Sequence, residues 1–389
     1  LRMIDPSTAA HYWDYTIDAT GGWEWYNSKV FDDDWYGSNS PNNENHVVDT
    51  GRWAFTKVKT DAWHYSNITN PYGLLRSPWN TNPVPYVMRS NHTQGSFADG
   101  YASLPSCSSF ADELGSSLAD VLNALNGELH GPVHIMIGGQ WDLKYDWKDY
   151  MKDMSFADNF LLLGKDLWRQ GFLRVPMYCS ADTPHSDCMA SCPEEFRKGL
   201  NVTEVIYKTG LKHDSADSTW LSALSDYGKS EEMLLEEICH MGSPGEMFTS
   251  AAPYDPVFWP IHGLADRFLQ LKRMMADDGT TTFDETWGYV HSGNTPSDTN
   301  HVCDWTGVEG MQLPTCTEGS CSGHKSNDII PWSNFQNKNE TYTNVEFYDF
   351  VSPNSDSLPY VYDTFTVWPG CSAQGIDFWS TDDDDDSRR

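Results

Sequence analysis

The clearest helical pattern in the chain runs from Asp255 to Met275. Apolar side chains recur there on one stripe, at Ile261, Leu264, Ala265, Phe268, Leu271 and Met275. Such a stripe is typical of a helix that turns one face towards a protein core. A second stripe, made of Leu114, Leu118, Val121, Leu122 and Leu125, predicts another helix from Phe110 to Asn126.

Further helices are predicted between these two segments. The pattern places them at about residues 155–169, 194–207 and 218–239, and a cysteine-bearing loop runs from Met177 to Pro193. A short helix should also begin near Pro132, because proline suits the first turn of a helix. The middle of the chain is therefore expected to be mainly α-helical.

The two ends of the chain have a different composition. Residues 1–105 and the residues beyond Asp277 are rich in Gly, Ser, Asn and other turn formers, which favour loops and short strands. Aromatic runs at 345–348 and 360–362 stand out in the second of these regions. We expect a mainly α fold with long loops and few short strands.

The charge balance narrows the possible partners. The sequence has 25 basic and 56 acidic residues, which gives a net charge of −31. A field of this sign repels phosphate backbones and anionic membrane surfaces, so neither nucleic acid nor a membrane is an expected partner. The acidic runs Asp32 to Asp34 and Asp382 to Asp386 lack calcium-loop spacing and are interpreted as solvated segments.

Cysteines and glycosylation motifs point to the secretory pathway. The nine cysteines include two local groups, Cys179, Cys188 and Cys192, and Cys303, Cys316 and Cys321. No CxxC pair is present, so disulfides are favoured over structural zinc. Asn-X-Ser/Thr motifs occur at Asn67, Asn91, Asn201 and Asn339. Together these features predict a secreted or lumenal glycoprotein.

Three histidines form a candidate metal site. His130 and His134 are four residues apart, a spacing that puts both imidazoles on one face of a helix. His262 lies on the inner stripe of the helix predicted from Asp255. Three neutral imidazoles in an aromatic pocket suit copper and would also accept zinc or iron.

The segment from residue 255 to residue 266 carries a more specific pattern, Asp-Pro-x-Phe-aromatic-x-x-His-x-x-x-Asp. Its matching positions are Asp255, Pro256, Phe258, Trp259, His262 and Asp266. In this segment the chain resembles the second copper signature of the tyrosinase, catechol oxidase and molluscan haemocyanin family. The segment His130 to Gln140 and the run Tyr12-Trp13-Asp14-Tyr15 are similar to further family motifs, and they occur in the family's order.

This resemblance implies a type 3 copper protein with a tyrosinase-like helical bundle that carries the copper ligands. Residues 1–277 would form the copper domain, including a helical insertion at 142–250, and residues 278–389 a loop-rich, cysteine-containing region with an acidic tail. The implied activity is the oxidation of phenols or catechols to o-quinones with O2. The implied partners are therefore a small phenolic or catecholic substrate and O2.

Two departures from the family pattern leave alternatives open. His134 and His262 are 128 positions apart, far more than the short loop that the family usually has between these ligands, and the insertion explains the difference. A match to family members with the short loop would instead use His240 as the ligand, with Glu236 four residues before it. His240 is therefore the alternative ligand.

The second departure concerns the first copper of the family, whose three histidines precede the Tyr-Trp-Asp motif. Only eleven residues precede Tyr12 here, and the histidines upstream of His130 lack helical pairing; they are His11, His46, His64 and His92. We expect an N-terminally truncated chain that holds one copper, where the full protein holds two.

Other residues of the motifs have a functional and a structural interpretation. Asp266 would orient a ligand imidazole or pair with Arg267 or another arginine. Asp14 would be a hydrogen-bond hub or a surface residue. Phe258 and Trp259 would flank the substrate pocket or pack in the core, and we favour core packing for at least one of them.

Gly131 stands where phenol-hydroxylating family members often have Asn. Its presence favours the oxidation of diphenols over the hydroxylation of monophenols. Two other functions compete with an oxidase: a haemocyanin-like O2 carrier, and a structural or matrix protein with a degenerate copper site.

Overall fold

The computed structural model describes residues 4–22, 24–64, 69–76, 79–95, 103–152, 160–169, 172–192, 202–203, 219–288, 325–333, 340–356 and 358–379. Helices predominate over strands among these residues, so the predicted mainly helical class is confirmed. The search for a membrane-spanning helix found none of sufficient length and hydrophobicity in the described part of the chain.

The helices are numbered here in chain order. They are α1 (Tyr15–Thr20), α2 (Cys107–Asp112), α3 (Leu118–Asn126), α4 (Gly131–Gly138), α5 (Lys148–Lys152), α6 (Phe160–Arg169), α7 (His185–Cys188), α8 (Thr219–Asp226), α9 (Glu231–Cys239), α10 (Phe258–Asp277), α11 (Asn344–Phe350) and α12 (Pro369–Ser372). Short 3-10 helices lie at Trp25–Asn27, Lys29–Phe31, Ala62–His64, Glu246–Phe248 and Ala252–Tyr254.

Strands are few and short. β1 (Gln140–Trp141) pairs antiparallel with β2 (Ser243–Pro244), and β3 (Ile329–Ser333) pairs antiparallel with β4 (Thr341–Thr343). The first pair joins the two ends of the predicted insertion, because Gln140 is opposite Pro244 and Trp141 is opposite Ser243. The chain therefore leaves the end of α4 through β1 and returns beside β1 as β2, about 100 residues later.

The helix predicted from Phe110 to Asn126 is two helices in the structure. α2 ends at Asp112, and α3 begins at Leu118 with Ser117 as its N-cap, which accepts a hydrogen bond from the Asp120 N–H at 3.3 Å. The ammonium of Lys272 on α10 donates hydrogen bonds to the carbonyls of Glu113, Leu114 and Ser116, at 2.6, 2.8 and 3.0 Å. The break is stable because this buried cation satisfies the carbonyls that a continuous helix would pair.

The other helix predictions have mixed outcomes. The segment at 218–239 is also divided, into α8 and α9, by a turn at Gly228 with a φ of +65°. The segment at 155–169 contains α6, and the loop from Met177 contains the short α7. The segment at 194–207 lies outside the described residues apart from 202–203.

Helix α11 corrects our interpretation of the aromatic run at 345–348. The expected loop or strand there is wrong, because the residues are helical. A capping box explains the helix: the Thr343 side chain accepts the Glu346 N–H, while the Glu346 carboxylate accepts the Thr343 N–H at 2.8 Å. The second aromatic run, 360–362, forms no strand.

The core around α10 contains the predicted stripe. Ile261, Leu264, Phe268, Leu271 and Met275 are all buried, whereas Ala265 is half-buried. They pack in one cluster with buried side chains of the preceding helices, which include Phe110, Val121, Val133 and Ile137. A second cluster fills the region of the insertion, with Trp147, Phe160, Leu163, Leu234 and Ile238 among its members.

Three disulfides stabilise the described chain. Cys107 of α2 is bonded to Cys371 of α12, Cys179 to Cys188, and Cys192 to Cys239. Three such bonds indicate an oxidising extracellular or lumenal environment. Cys303, Cys316 and Cys321 lie outside the described residues.

The Cys107–Cys371 bond should be the most stabilising of the three, because it joins residues 264 positions apart. We expect Cys107→Ser/Cys371→Ser to lower the free energy of unfolding by about 3 to 5 kcal/mol in a urea titration. The matched control is Cys179→Ser/Cys188→Ser, which opens a loop of only 9 positions and should cost roughly half as much. Equal losses of unfolding free energy in the two variants would contradict the view that the disulfides stabilise the protein through the entropy of the loops they close.

Candidate metal centre

Two helices and the turn before one of them supply the three predicted ligands. His130 is the N-cap of α4, with φ of −147° and ψ of −35°, and His134 lies one turn into that helix. His262 lies in the second turn of α10. We expected His130 and His134 to share a helix; His130 instead precedes it, and its ring still converges on that of His134.

The three imidazoles form a compact triangle. Ring centroids are 4.4 Å apart for His130 and His134, 4.4 Å for His130 and His262, and 5.1 Å for His134 and His262. One nitrogen from each ring lies within 4.8 Å of the other two, so the group could hold a metal ion. The prediction that these side chains meet, across 128 positions of sequence, is confirmed.

Backbone carbonyls determine which nitrogen of each ring faces the centre. Nδ1 of His134 is 2.8 Å from the Met247 carbonyl, and Nδ1 of His262 is 2.7 Å from the Phe258 carbonyl. A carbonyl only accepts, so each Nδ1 carries the proton and each Nε2 keeps a lone pair. His130 hydrogen-bonds the Leu125 backbone, and its Nε2 lies 2.8 Å from Nε2 of His134.

This arrangement fits a metal cation. Two lone pairs that face each other at 2.8 Å repel, and a cation between them turns that repulsion into attraction. Each ring is also held by a hydrogen bond on its far side, as is usual for imidazoles that bind metals. The donor set is three nitrogens with no carboxylate in the group, which suits copper or zinc and not calcium or magnesium.

The electrostatics keep the ligands in the form that binds metal. Burial, together with the neighbouring imidazoles, lowers the pKa of His130 to about 3. Burial likewise lowers the pKa of His134 to about 4, and it lowers that of His262. All three rings are therefore neutral near pH 7, and no proton has to leave before a metal binds.

Phe258 and Trp259 occupy different environments. The Phe258 ring stacks on His262, with centroids 3.7 Å apart and planes at 25°. It also packs partly against the α10 core, so the expectation of core packing for at least one of the pair holds for Phe258. Trp259 is 63% exposed and belongs to no core. Phe258 thus forms an apolar wall of the metal centre.

Gly131 has a structural reason to be glycine. A Cβ on this residue would lie 2.8 Å from the Asn126 carbonyl oxygen, closer than side-chain atoms normally approach. A larger residue would displace the turn that holds His130. Glycine here is explained by packing, independently of any choice between monophenols and diphenols.

Asp14 and Asp266 both connect the metal-bearing region to the C-terminal segment. Asp14 is buried, caps α1 by accepting the Thr16 N–H, and accepts the Gly370 N–H at 3.3 Å. It has the hub role that we preferred. Asp266 accepts hydrogen bonds from Tyr362, at 2.6 Å, and from Gln270.

Asp266 makes no hydrogen bond to a ligand imidazole, and the arginine with which it interacts electrostatically is Arg273. Its hydrogen bonds go to Tyr362 and Gln270 and not to an imidazole, since the Nδ1 atoms of His134 and His262 bond to carbonyls. Arg267 does not pair with it; that guanidinium donates to the Thr364 and Val367 carbonyls. Asp266 therefore anchors the segment that contains Tyr362.

The alternative ligand, His240, lies outside the triangle. It follows α9, and its Nδ1 is 2.9 Å from the Glu236 carbonyl. The Glu236 carboxylate is paired with Lys144 and accepts the Tyr145 hydroxyl at 2.8 Å. Among the described residues, His130, His134 and His262 are the group that could hold a metal.

The upstream histidines likewise form no metal group in the part of the chain that the structure describes. His46 stacks on Trp141, with centroids 4.5 Å apart, and takes no part in the triangle. His11 and His92 lie in loops, and His64 is the last residue of the 3-10 helix Ala62–His64.

Two residues near the site escaped the sequence analysis. Met247 acts through its backbone carbonyl, which no side-chain pattern reveals. Arg89 forms a buried double hydrogen bond with Asp255, at 2.7 Å from Nε to Oδ2 and 2.5 Å from Nη2 to Oδ1. Arg89 lies in a loop 166 positions before Asp255, so no local sequence pattern predicts their contact.

A comparison of the sequence with protein-family models found no match, and a search of curated proteins found no similar sequence. The functional assignment therefore depends on the geometry of the site and on the motifs in the chain.

Proposed function

We propose that this chain provides one copper site of a tyrosinase-like or catechol oxidase-like oxidoreductase. The observation that carries the proposal is the convergence of three neutral imidazoles, each with its Nε2 lone pair directed to one centre. His130, His134 and His262 would hold the copper. Bound copper would supply the electron transfer between an aromatic diol and O2.

The protein's own residues would position the reactants. Phe258 covers the His262 ring and forms an apolar wall beside it, against which an aromatic ring could stack. The carbonyls of Met247 and Phe258 fix the orientation of two ligand rings. Exposed Trp259, whose ring centroid is 5.2 Å from that of Phe258, extends this aromatic surface towards solvent.

The resemblance to the type 3 copper family favours copper over zinc, and substrate oxidation over storage of a metal ion. The segment from Asp255 to Asp266 places Phe258 and His262 in the positions that the family motif prescribes. In this chain Phe258 and His262 stack on each other, so the spacing in the motif corresponds to a contact at the site. We propose one copper in this chain and a second in a complete dicopper centre.

The experiment is copper loading followed by an assay of o-quinone formation. The chain, dialysed after loading, should retain one copper with a three-nitrogen signature in electron paramagnetic resonance, and by itself should not oxidise catechol. A protein in which a second copper completes the dicopper centre beside this site should form o-quinone. Reversible O2 binding without turnover in that protein would establish a carrier in place of an oxidase, and about two coppers in this chain would refute the single site.

A further inference from the structure

Two carboxylates in the stretch between His134 and His262 are paired with buried arginines. Glu246 pairs with Arg76, and Asp255 pairs with Arg89; all four side chains are 0% exposed. Taking ions out of water costs several kcal/mol each, and an apolar pair of similar volume often stabilises a protein at least as well. Stability alone is therefore a weak reason for two such pairs in one region, and their neighbours suggest another role.

The first pair adjoins the carbonyl that orients His134. Glu246 directly precedes Met247, whose carbonyl accepts the Nδ1–H of His134 at 2.8 Å. The Nε of Arg76 lies 2.6 Å from Oε1 of Glu246, and the other carboxylate oxygen accepts the Met88 N–H. The backbone N–H of Glu246 also donates to the Met88 carbonyl, at 3.3 Å. These contacts fix the short 3-10 helix that presents the Met247 carbonyl.

Arg76 is itself anchored to a different part of the chain. Its guanidinium donates to the Asn82 carbonyl at 2.9 Å and to the Tyr86 carbonyl. The donors of a guanidinium form a planar, rigid fork, so several acceptors around it fix its orientation. The Glu246 carboxylate therefore has a rigid partner, and the Met247 carbonyl next to it is held in place.

The second pair has the same relation to His262. The Asp255 carboxylate accepts two hydrogen bonds from Arg89 and one from the Val257 N–H, at 3.1 Å. The Asp255 carbonyl accepts the Phe258 N–H at 2.9 Å. Phe258 presents the carbonyl that accepts the Nδ1–H of His262 at 2.7 Å. Each orienting carbonyl thus belongs to a residue within three positions of a carboxylate that a buried arginine holds.

We propose that Arg76 and Arg89 are positioning residues of the metal centre, each for a different ligand ring. Arg76 sets the direction of the His134 ring. Arg89 sets the direction of the His262 ring. A nitrogen binds a metal along its lone pair, so the hydrogen bond on the far side of the imidazole controls how well the ring binds. This assignment rests on the proposed function, in which both rings hold copper.

Two double variants remove the pairs without leaving a buried charge: Arg76→Met/Glu246→Gln and Arg89→Met/Asp255→Asn. Gln and Asn keep an acceptor oxygen for the backbone N–H groups that the carboxylates hold. Each variant is the matched control for the other, because both lose one fully buried ion pair. A general loss of stability would affect both rings alike, whereas positioning affects one ring in each variant.

Nuclear magnetic resonance of the metal-free chain, with isotope-labelled histidine nitrogens, measures the tautomer of each ring. In the unmodified chain both rings should carry the proton on Nδ1, because a carbonyl faces that atom. We expect Arg76→Met/Glu246→Gln to give His134 a mixture of the Nδ1–H and Nε2–H forms and to leave His262 unchanged. The other double variant should show the reverse pattern.

Copper gives a second measurement. Partners that orient a metal ligand typically contribute 10- to 100-fold in metal affinity, and the arginines act one residue further out. Each double variant should therefore lower Cu²⁺ affinity about tenfold in competition with a chelator, and should change the electron paramagnetic resonance spectrum of the bound copper. The urea midpoint of unfolding should change little, because no unpaired charge remains buried.

Arg267→Met is a further control, because Arg267 is as buried as Arg76 but donates to the Thr364 and Val367 carbonyls. It should alter neither ring. Unchanged tautomers in both double variants, or the same change in both rings, would overturn the assignment of the arginines. If the unmodified chain retained no copper, the proposed function would fail, and the crossed tautomer pattern in the metal-free chain would still establish which arginine positions which ring.

Discussion

His262→Ala should abolish stable copper binding. The substitution removes one of three imidazoles and leaves the other two with their Nε2 atoms 2.8 Å apart. Loss of a residue that only orients a ligand typically costs 10- to 100-fold in metal affinity, so loss of a ligand itself should cost more than about 100-fold. The affinity is measured by competition with a chelator of known strength, and the retained copper by elemental analysis after dialysis.

The control is His240→Ala, because His240 is the alternative ligand in the sequence and lies outside the triangle. Its Nδ1 bonds the Glu236 carbonyl next to the surface pair of Glu236 and Lys144. This variant should retain the copper affinity of the unmodified chain. If His240→Ala lost copper and His262→Ala retained it, the assignment of ligands would be wrong.

Asp255→Ala should destabilise the fold more than any exposed charge substitution. The Asp255 carboxylate is buried, receives two hydrogen bonds from the buried Arg89 guanidinium and also accepts the Val257 N–H at 3.1 Å. Removing one partner leaves a buried, uncompensated cation, which costs about 3 to 5 kcal/mol. The free energy of unfolding from urea titration measures this loss.

Lys144→Ala is the matched control for that prediction, since Lys144 forms an ion pair with Glu236 in which the two side chains are 52% and 41% exposed. It should change the unfolding free energy by less than about 1 kcal/mol. The double variant Arg89→Met/Asp255→Leu should recover part of the loss, because it leaves no unpaired charge. A loss in that double variant as large as the summed losses of Arg89→Met and Asp255→Leu, each measured alone, would show that the pairing contributes nothing.

The two predictions concern one structural unit. Asp255 ends the turn that leads into α10, and three residues later α10 begins with Phe258, whose carbonyl orients His262. Arg89 also donates to the carbonyls of Tyr36 and Gly37, at 3.1 Å each. The geometry of the metal-bearing helix α10 therefore depends on a loop more than 160 positions upstream.

The sequence predicted the elements whose signal is local. The stripe of α10, the helical start at Pro132 and the spacing of His130 and His134 all depend on neighbours within a few positions, and the structure contains them. Helix breaks were not predicted. The break between α2 and α3 depends on Lys272, which is 156 to 159 positions away along the chain.

The sequence by itself determined the mainly helical class, the strong negative charge and the identity of three candidate ligands, because periodicity and residue chemistry are local properties. Only the tertiary structure decided that the three rings meet, that Met247 and Phe258 carbonyls direct their Nε2 atoms inward, and that Asp266 bonds Tyr362 instead of an imidazole. These contacts join segments about 95 to 130 positions apart, or use backbone atoms. They follow from how the helices pack, and residue identity alone does not encode them.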